Sequence, residues 1–192
     1  LWMFRTEGWA RKMRRYLGDC VLEQLFMPMY PVAVDLISGE PVVRDRGEAV
    51  RAVLESLNFP VAALPIFRDG QALVDGGVLV NVPAEVLRDR GCELIVAVDI
   101  AANLSRRYGK NRSTTSADEM KYPGMVETLF RLFEVQQYGL NRLHHNPYNV
   151  LIAPDVSKFS FTDFSRAEQM VDIGRKAAEQ ALPELQQLLS EF

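Results

Sequence analysis

The sequence predicts an α/β protein with a largely parallel sheet. Short apolar segments typical of strands alternate along the 192-residue chain with segments of helical periodicity. One strand-like segment, residues 94–100, is an almost unbroken apolar run, as in parallel strands that are covered on both faces. Hydrophobic residues make up 48% of the chain and charged residues 24%, which is ordinary for one globular domain with a sizeable core.

The first half of the chain is expected to begin with helix and continue into strands. Helical spacing of apolar residues predicts the helices, and short apolar stretches bounded by Gly, Pro or Asp predict the strands. The expected elements are a helical region over 8–28 interrupted at Gly18-Asp19, a strand over 32–36, its hairpin partner at Val42-Val43, a helix over 48–57, an irregular apolar loop framed by Pro60 and Pro65, and a strand over 72–74.

The second half is expected to alternate helix and strand around one long loop. Pro83 suits the start of a helix and Gly91 its end. The segment 101–120 is rich in serine, threonine and charge, which predicts a long, mobile loop. The expected elements are a helix over 84–90, the strand over 94–100, that loop, a helix over 125–143, a strand over 149–153, and a helix over 165–189 that Pro183 kinks or divides.

Composition excludes several classes of function. A net charge of -3 without a basic stripe argues against nucleic acid as a partner, and no run of about 18 apolar residues predicts a membrane span. Two distant cysteines, Cys20 and Cys92, favour a reduced, cytoplasmic setting. The adjacent histidines, His144 and His145, would point about 100° apart on a helix, so we expect no metal site.

The most informative stretch is Asp75, Gly76 and Gly77, which directly follow a predicted strand. Catalytic groups of α/β proteins collect at the carboxyl ends of strands, and glycines allow the chain to turn sharply there. The alternative is a plain turn, since Asp-Gly is a common turn dipeptide, and Asp69-Gly70 upstream is interpreted as one.

The order of motifs around Asp75 resembles the patatin-like phospholipase family. The resemblance covers about residues 16–100 in order, and more loosely the last helix. Leu17-Gly18-Asp19, followed by Leu22-Glu23-Gln24-Leu25 and Pro28, is similar to the neuropathy-target-esterase branch in particular. The other matching features are the strand and turn from Pro31 to Glu40, Gly47 with a helix reaching Ser56, Pro60 and Pro65, the Asp-Gly-Gly box with Asn81 and Pro83, and the strand ending in Asp99.

The resemblance implies a three-layer patatin-like fold and a serine lipid acyl hydrolase that acts on phospholipid or lysophospholipid esters. The family uses a Ser-Asp dyad without histidine, and Asp75 matches the dyad aspartate. The serine lies in a G-x-S-x-G elbow near a glycine-rich loop that donates N–H groups to the oxyanion. No metal or organic cofactor is implied.

The sequence departs from the family pattern because none of its serines lies in G-x-S-x-G, and the glycine-rich loop is also missing. In the family both lie ahead of the matched region. We therefore expect residues 1–192 to be the C-terminal part of one patatin-like domain, inactive alone, without the strand, nucleophile elbow and helix that come first. Two alternatives remain: a non-catalytic relative that serves as a scaffold or regulatory module, and an unrelated α/β protein.

Two further features, residues 2–16 and Asp99, have both a functional and a structural interpretation. Residues 2–16 mix aromatic and basic side chains and could contact a membrane surface, or the aromatics could pack in the core while the arginines face water. Asp99 and Asn81 are candidates for lining the site, although Asp99, like Asp35, could simply brace nearby backbone amides.

Overall fold

The computed structural model describes five stretches of the chain, and these divide into two compact units, Leu1–Val86 and Leu87–Phe192. The described stretches are residues 6–60, 62–101, 124–143, 147–159 and 164–191. Three sequence predictions lie partly or wholly outside them: the aromatic and basic residues 2–5, the loop 101–120 beyond its first residue, and the pair His144 and His145.

The first unit contains a four-stranded antiparallel sheet in the order β2-β1-β4-β3. Its strands are β1 (Val32–Asp35), β2 (Pro41–Val43), β3 (Ile66–Arg68) and β4 (Gln71–Asp75), and its helices are α1 (Thr6–Leu17), α2 (Ala49–Ser56) and the start of α3 (Ala84–Arg88). Single 3-10 turns occur at Leu22–Gln24 and Gly76–Val78. The expected helices, the hairpin and the strand before Asp75 are confirmed.

The prediction of a mainly parallel sheet is wrong for this unit, because short turns join β1 to β2 and β3 to β4, and β1 also pairs antiparallel with β4. Asp69 and Gly70 both have positive φ, 53° and 79°, which is the geometry of a two-residue hairpin turn. Such a turn can only produce antiparallel neighbours. It also creates strand β3, which the sequence pattern did not indicate because two prolines precede it.

The core of the first unit lies between the sheet and α2. Leu73, Val74 and Val50 are almost completely buried. Strand β4 is central, paired with β1 on one side and β3 on the other, and α2 packs on β1 and β4. Asp75, the residue at the carboxyl end of β4, is therefore held by its pairing with Ala33 of β1, while the strand that leads to it is flanked by β3 and α2.

The second unit contains a parallel pair of strands and two long helices. The strands are β5 (Val96–Val98) and β6 (Val150–Ile152), and the helices are α4 (Met125–Leu143) and α5 (Ala167–Glu191), preceded by a 3-10 turn at Phe164–Arg166. Helix α4 has the predicted bounds, and α5 continues through Pro183 as one helix. The described structure thus has both helices and a small parallel sheet, as an α/β protein requires.

Strand β5 is not covered on both faces as the sequence predicted. Ala97 is buried, but Val96 and Val98 are 39% and 58% exposed. Val96 and Val98 share one face of the strand, because alternate residues point to the same side, and this face is open to solvent. A parallel strand is buried on both faces only where helices pack on each side of the sheet, and here only the face of Ala97 is covered.

Candidate functional site

Asp75 is the last residue of β4 and forms the N-terminal cap of the short turn that follows. Its Cα lies opposite that of Ala33 on β1. Its backbone N–H donates to the Asn58 carbonyl at 3.0 Å, and its Oδ1 accepts from the Gly77 N–H at 2.8 Å. Within the described part of the chain, Oδ2 accepts no hydrogen bond. One carboxylate oxygen therefore orients the side chain, and the other remains available.

Gly76 permits this turn because the chain passes very close to strand β1. A β-carbon at position 76 would lie 2.9 Å from the carbonyl carbon of Val32 and closer still to its oxygen. Real β-carbons do not approach backbone atoms so closely, so only glycine fits without a shift of the strand. The first glycine of the Asp-Gly-Gly box is therefore required for a steric reason, because the backbone approaches β1 too closely for any side chain.

The environment of Asp75 favours the protonated form more than water does. Burial raises the pKa of this carboxyl above its ordinary value, and the hydrogen bond from the Gly77 N–H opposes the rise. A carboxylate with a raised pKa is a better proton acceptor than an ordinary exposed aspartate. In chemical terms the group can accept a proton from a hydroxyl and return it.

Asn58 is part of this site although the sequence patterns did not single it out. It is 5% exposed and lies directly after α2. Its Nδ2 donates to the carbonyls of Leu64 and Leu73, both at 2.9 Å. The signal available in the sequence was an asparagine between two apolar residues, Leu57 and Phe59, since an amide that an apolar segment carries into the core is usually hydrogen-bonded.

Asp35 has a structural role at the opposite end of the same pair of strands. Its Oδ1 accepts from the N–H groups of Ile37 and Ala72, and its Oδ2 accepts from the N–H and hydroxyl of Ser38. The Ala72 N–H bond is the largest of the influences that lower the pKa of this carboxyl. The four bonds tie the β1–β2 hairpin to β4 and satisfy both oxygens.

Asp99 lies in the second unit, just after β5, and its carboxylate is also satisfied. Oδ1 accepts from the Ala101 N–H and Oδ2 from the Asn141 side chain of α4, both at 2.8 Å. With 6% of its surface exposed, it holds α4 to the end of the strand. Asn81, the other candidate lining residue, is half-buried between the 3-10 turn and α3.

A buried ion-pair cluster centred on Glu55 was not predicted from the sequence. Glu55, on α2, is fully buried, and its oxygens accept from Arg44 at 2.9 Å and from Arg68 at 3.0 Å. Arg44 directly follows β2 and Arg68 is the last residue of β3, so the cluster fastens α2 to one end of the sheet. The hydrogen bond to Glu55 is the main reason that the pKa of Arg68 is raised.

The surface of α1 combines basic residues with a shallow cavity. The cavity has a volume of about 490 Å³ and is lined by Glu7, Ala10, Arg11 and Arg14, none of which is a predicted catalytic residue. Arg14 is paired with Glu48 at 2.8 Å, and Lys12 lies over the ring of Trp9. Across the described helices, none combines the length and apolar character needed to cross a membrane.

Comparison with known proteins finds relatives along nearly the whole chain. An uncharacterized NTE family protein of Mycobacterium tuberculosis is 29% identical over 185 residues, which are 90% of this chain and 32% of the relative. Patatin-like phospholipase domain-containing protein 6 of Homo sapiens is 28% identical over 188 residues, again 90% of this chain but 14% of the relative. Lysophospholipase NTE1 of Saccharomyces cerevisiae is 25% identical over 177 residues, which are 85% of this chain and 10% of the relative.

These relatives confirm the resemblance to the neuropathy-target-esterase branch of the patatin-like family. Their names, phospholipase and lysophospholipase, support a family of lipid hydrolases. The chain spans about a third of the length of the mycobacterial relative and less of the others. No family model matches the chain.

Proposed function

We propose that this chain, similar over nine-tenths of its length to the neuropathy-target-esterase branch of the patatin-like phospholipases, supplies the aspartate of a Ser-Asp dyad. The proposed activity is hydrolysis of the acyl ester of a phospholipid or lysophospholipid, with Asp75 as the dyad residue. The nucleophilic serine comes from residues that precede Leu1 in the complete gene product. One observation carries the proposal: Asp75 ends a central strand, is partly withdrawn from water, and keeps one carboxylate oxygen without a hydrogen-bond donor among the described residues.

The proposed mechanism uses Asp75 to carry one proton in each half of the reaction. During attack, the serine oxygen forms a bond to the ester carbonyl carbon while its proton passes to the available oxygen of Asp75. Asp75 then gives this proton to the leaving alcohol as the ester bond breaks, which leaves an acyl-serine. Water repeats the sequence, so the carboxylate and the serine are both regenerated.

The raised pKa of Asp75 supports its assignment as the base. An ordinary aspartate has a pKa of about 3.9 and holds a proton too weakly to assist a serine hydroxyl near neutral pH. Burial moves the pKa in the useful direction. The Gly77 N–H bond holds Oδ1 at the same time, so the carboxylate is oriented without losing Oδ2.

The exposed residues of β5 support the proposal that the described units are part of a larger patatin-like domain. Val96 and Val98 present apolar side chains to solvent in this chain. A further helix packed on this face would cover them, as the outer helix layers of a three-layer fold cover a parallel sheet. The strand, nucleophile elbow and helix that the resemblance places ahead of the matched region include such a helix.

Peripheral contact with the cytoplasmic face of a membrane is proposed for the region around α1. Arg11, Lys12 and Arg15 are exposed on this helix, and Tyr16 is 85% exposed. Basic side chains beside an exposed aromatic ring suit an anionic lipid surface. Charge reversal of Arg11 and Arg15 should abolish sedimentation with vesicles that contain phosphatidylserine; unchanged sedimentation would remove this part of the proposal.

The second candidate function is a scaffold or regulatory module that keeps the fold and lacks the serine. Its specific support is that no serine of the chain lies in G-x-S-x-G. The two candidates differ in whether the complete gene product contains an activated serine. Fluorophosphonate probes react with activated serines, so they separate the two directly.

The experiment compares fluorophosphonate labelling of the complete gene product with labelling of the 192-residue chain. Labelling of the complete product alone would support a nucleophile outside this chain. If neither protein is labelled while circular dichroism shows both to be folded, the catalytic proposal is wrong and the scaffold takes its place. Labelling of the isolated chain would contradict the assignment of the serine to preceding residues.

A further inference from the structure

We infer that Asn58 is the positioning residue of Asp75, holding the carboxyl end of β4 and the loop beside it through both hydrogens of one amide group. The inference rests on the proposed function only in giving Asp75 a catalytic role. Its structural content is independent: Asn58 sets where Asp75 lies and how far water is kept from it.

Three hydrogen bonds join Asn58 to the strand end and its surroundings. The Asn58 carbonyl accepts from the Asp75 N–H at 3.0 Å. Its Nδ2 donates to the Leu73 carbonyl, two residues before Asp75, and to the Leu64 carbonyl in the loop that leads into β3. The strand end is thus bound on both sides of Val74 by the same residue.

The two side-chain bonds require an amide at position 58. A primary amide nitrogen carries two hydrogens, and here each has its own carbonyl acceptor. Serine could supply one donor and alanine none. Leu73 is completely buried, so its carbonyl would have little access to compensating water if it lost the amide donor.

Asn58 can position Asp75 because it is itself held firmly. It follows α2, whose last turn contains the fully buried Glu55. Glu55 is fixed by Arg44 and Arg68 at the ends of two strands of the same sheet. The position of Asn58 relative to the sheet is therefore set by ion pairs that do not involve Asp75.

The loop held by Asn58 lies beside Asp75. The β3–β4 register pairs Ile66 with Leu73, so the residues just before Ile66 run alongside the end of β4. Leu64 is one of these residues, and its carbonyl is fixed by the Asn58 amide. Releasing the loop would let water approach the carboxylate, which weakens the burial that raises the pKa of Asp75.

The test is a carbon-13 NMR titration of the Asp75 carboxyl in the 192-residue chain and in three variants. In Asn58→Ala the titration midpoint should fall toward that of an ordinary aspartate. In Asn58→Ser, which retains one hydrogen-bond donor, the midpoint should lie between that of the wild type and that of Asn58→Ala. Val50→Ala is the control, since Val50 is a buried residue of α2, the helix that precedes Asn58, and its truncation loosens the core without removing a bond to β4 or the loop.

A midpoint that is unchanged in Asn58→Ala, or that falls equally in Val50→Ala, would overturn the inference. If Asn58→Ala does not fold, the Asn58→Ser midpoint decides: a fall supports the inference and an unchanged value overturns it. The titration reads the surroundings of Asp75 rather than turnover. Retained ester hydrolysis by Asp75→Asn in the complete gene product would refute the proposed dyad and leave the Asn58 result standing.

Discussion

Substitution of Gly76 by alanine should destabilise the first unit through one steric overlap. The backbone of Gly76 does not have a positive φ, so alanine meets no conformational penalty there. The added methyl group would instead meet the carbonyl of Val32, at 2.9 Å from its carbon and closer to its oxygen. The effect therefore measures how tightly the Asp75 turn is pressed against β1.

The size of the effect follows from what would have to move. Val32 is paired with Val43 on the neighbouring strand and is 6% exposed, so β1 cannot shift without disturbing its ladder. Overpacking a rigid interior typically costs about 1–3 kcal/mol. Because the obstacle is backbone rather than a flexible side chain, we expect the upper part of this range, about 2–3 kcal/mol.

Urea unfolding followed by tryptophan fluorescence measures this change in the relevant unit, because Trp9 lies in α1 of that unit and the other tryptophan, Trp2, precedes it in the sequence. Gly8→Ala is the matched control. Gly8 lies in α1 with open space around it, so alanine should add up to about 1 kcal/mol of stability there. If Gly76→Ala unfolds within about 0.5 kcal/mol of the wild type, the close approach to Val32 is refuted.

Three further predictions concern the carboxylates of the first unit. Glu55→Gln should lower the free energy of urea unfolding by about 2–4 kcal/mol, because it leaves Arg44 and Arg68 without their buried partner; a change below about 1 kcal/mol would contradict the cluster. The pKa of Asp35 is lowered in the folded protein, so its carboxylate contributes stability above about pH 3.9, and this contribution is lost as the pH falls through the folded-state pKa. Asp35→Asn should therefore have a lower free energy of urea unfolding than the wild type at pH 7 and should lose less of it on acidification. The pKa of Asp75 is raised in the folded protein, so its negative charge lowers stability as the pH rises from about 3.9 through the folded-state pKa. Asp75→Asn should therefore raise the free energy of urea unfolding at pH 7 but not at pH 3. A lower value at pH 7 would contradict the burial argument.

Local signals in the sequence predicted the elements that depend on local periodicity. Helix α4 has its predicted bounds because its apolar residues repeat at helical spacing from Met125 onward. Strand β4 and the turn after it were predicted because an apolar run stops abruptly at Asp75. The hairpin from β1 was predicted from its small-residue turn.

The features that the sequence did not predict depend on contacts between distant residues. Glu55 and its arginines lie 11 and 13 residues apart, and nothing in their local pattern indicates that the three meet. Asn58 contacts β4 at residues 15 and 17 positions away. The relative orientation of the strands was also mispredicted. Asp69 and Gly70 were interpreted as a turn, but not as the link between two hydrogen-bonded antiparallel strands.

Ester hydrolysis by the complete gene product carrying Asp75→Asn, with a lysophospholipid as substrate, tests the catalytic role of Asp75 most directly. Asp69→Asn is the matched control, because Asp69 is an exposed turn residue with a positive φ, a backbone conformation that asparagine adopts readily. We expect Asp75→Asn to lower kcat/KM by about a hundredfold or more, as for the loss of a general base, and Asp69→Asn to leave it unchanged. Wild-type hydrolysis by a folded Asp75→Asn protein would contradict the central claim.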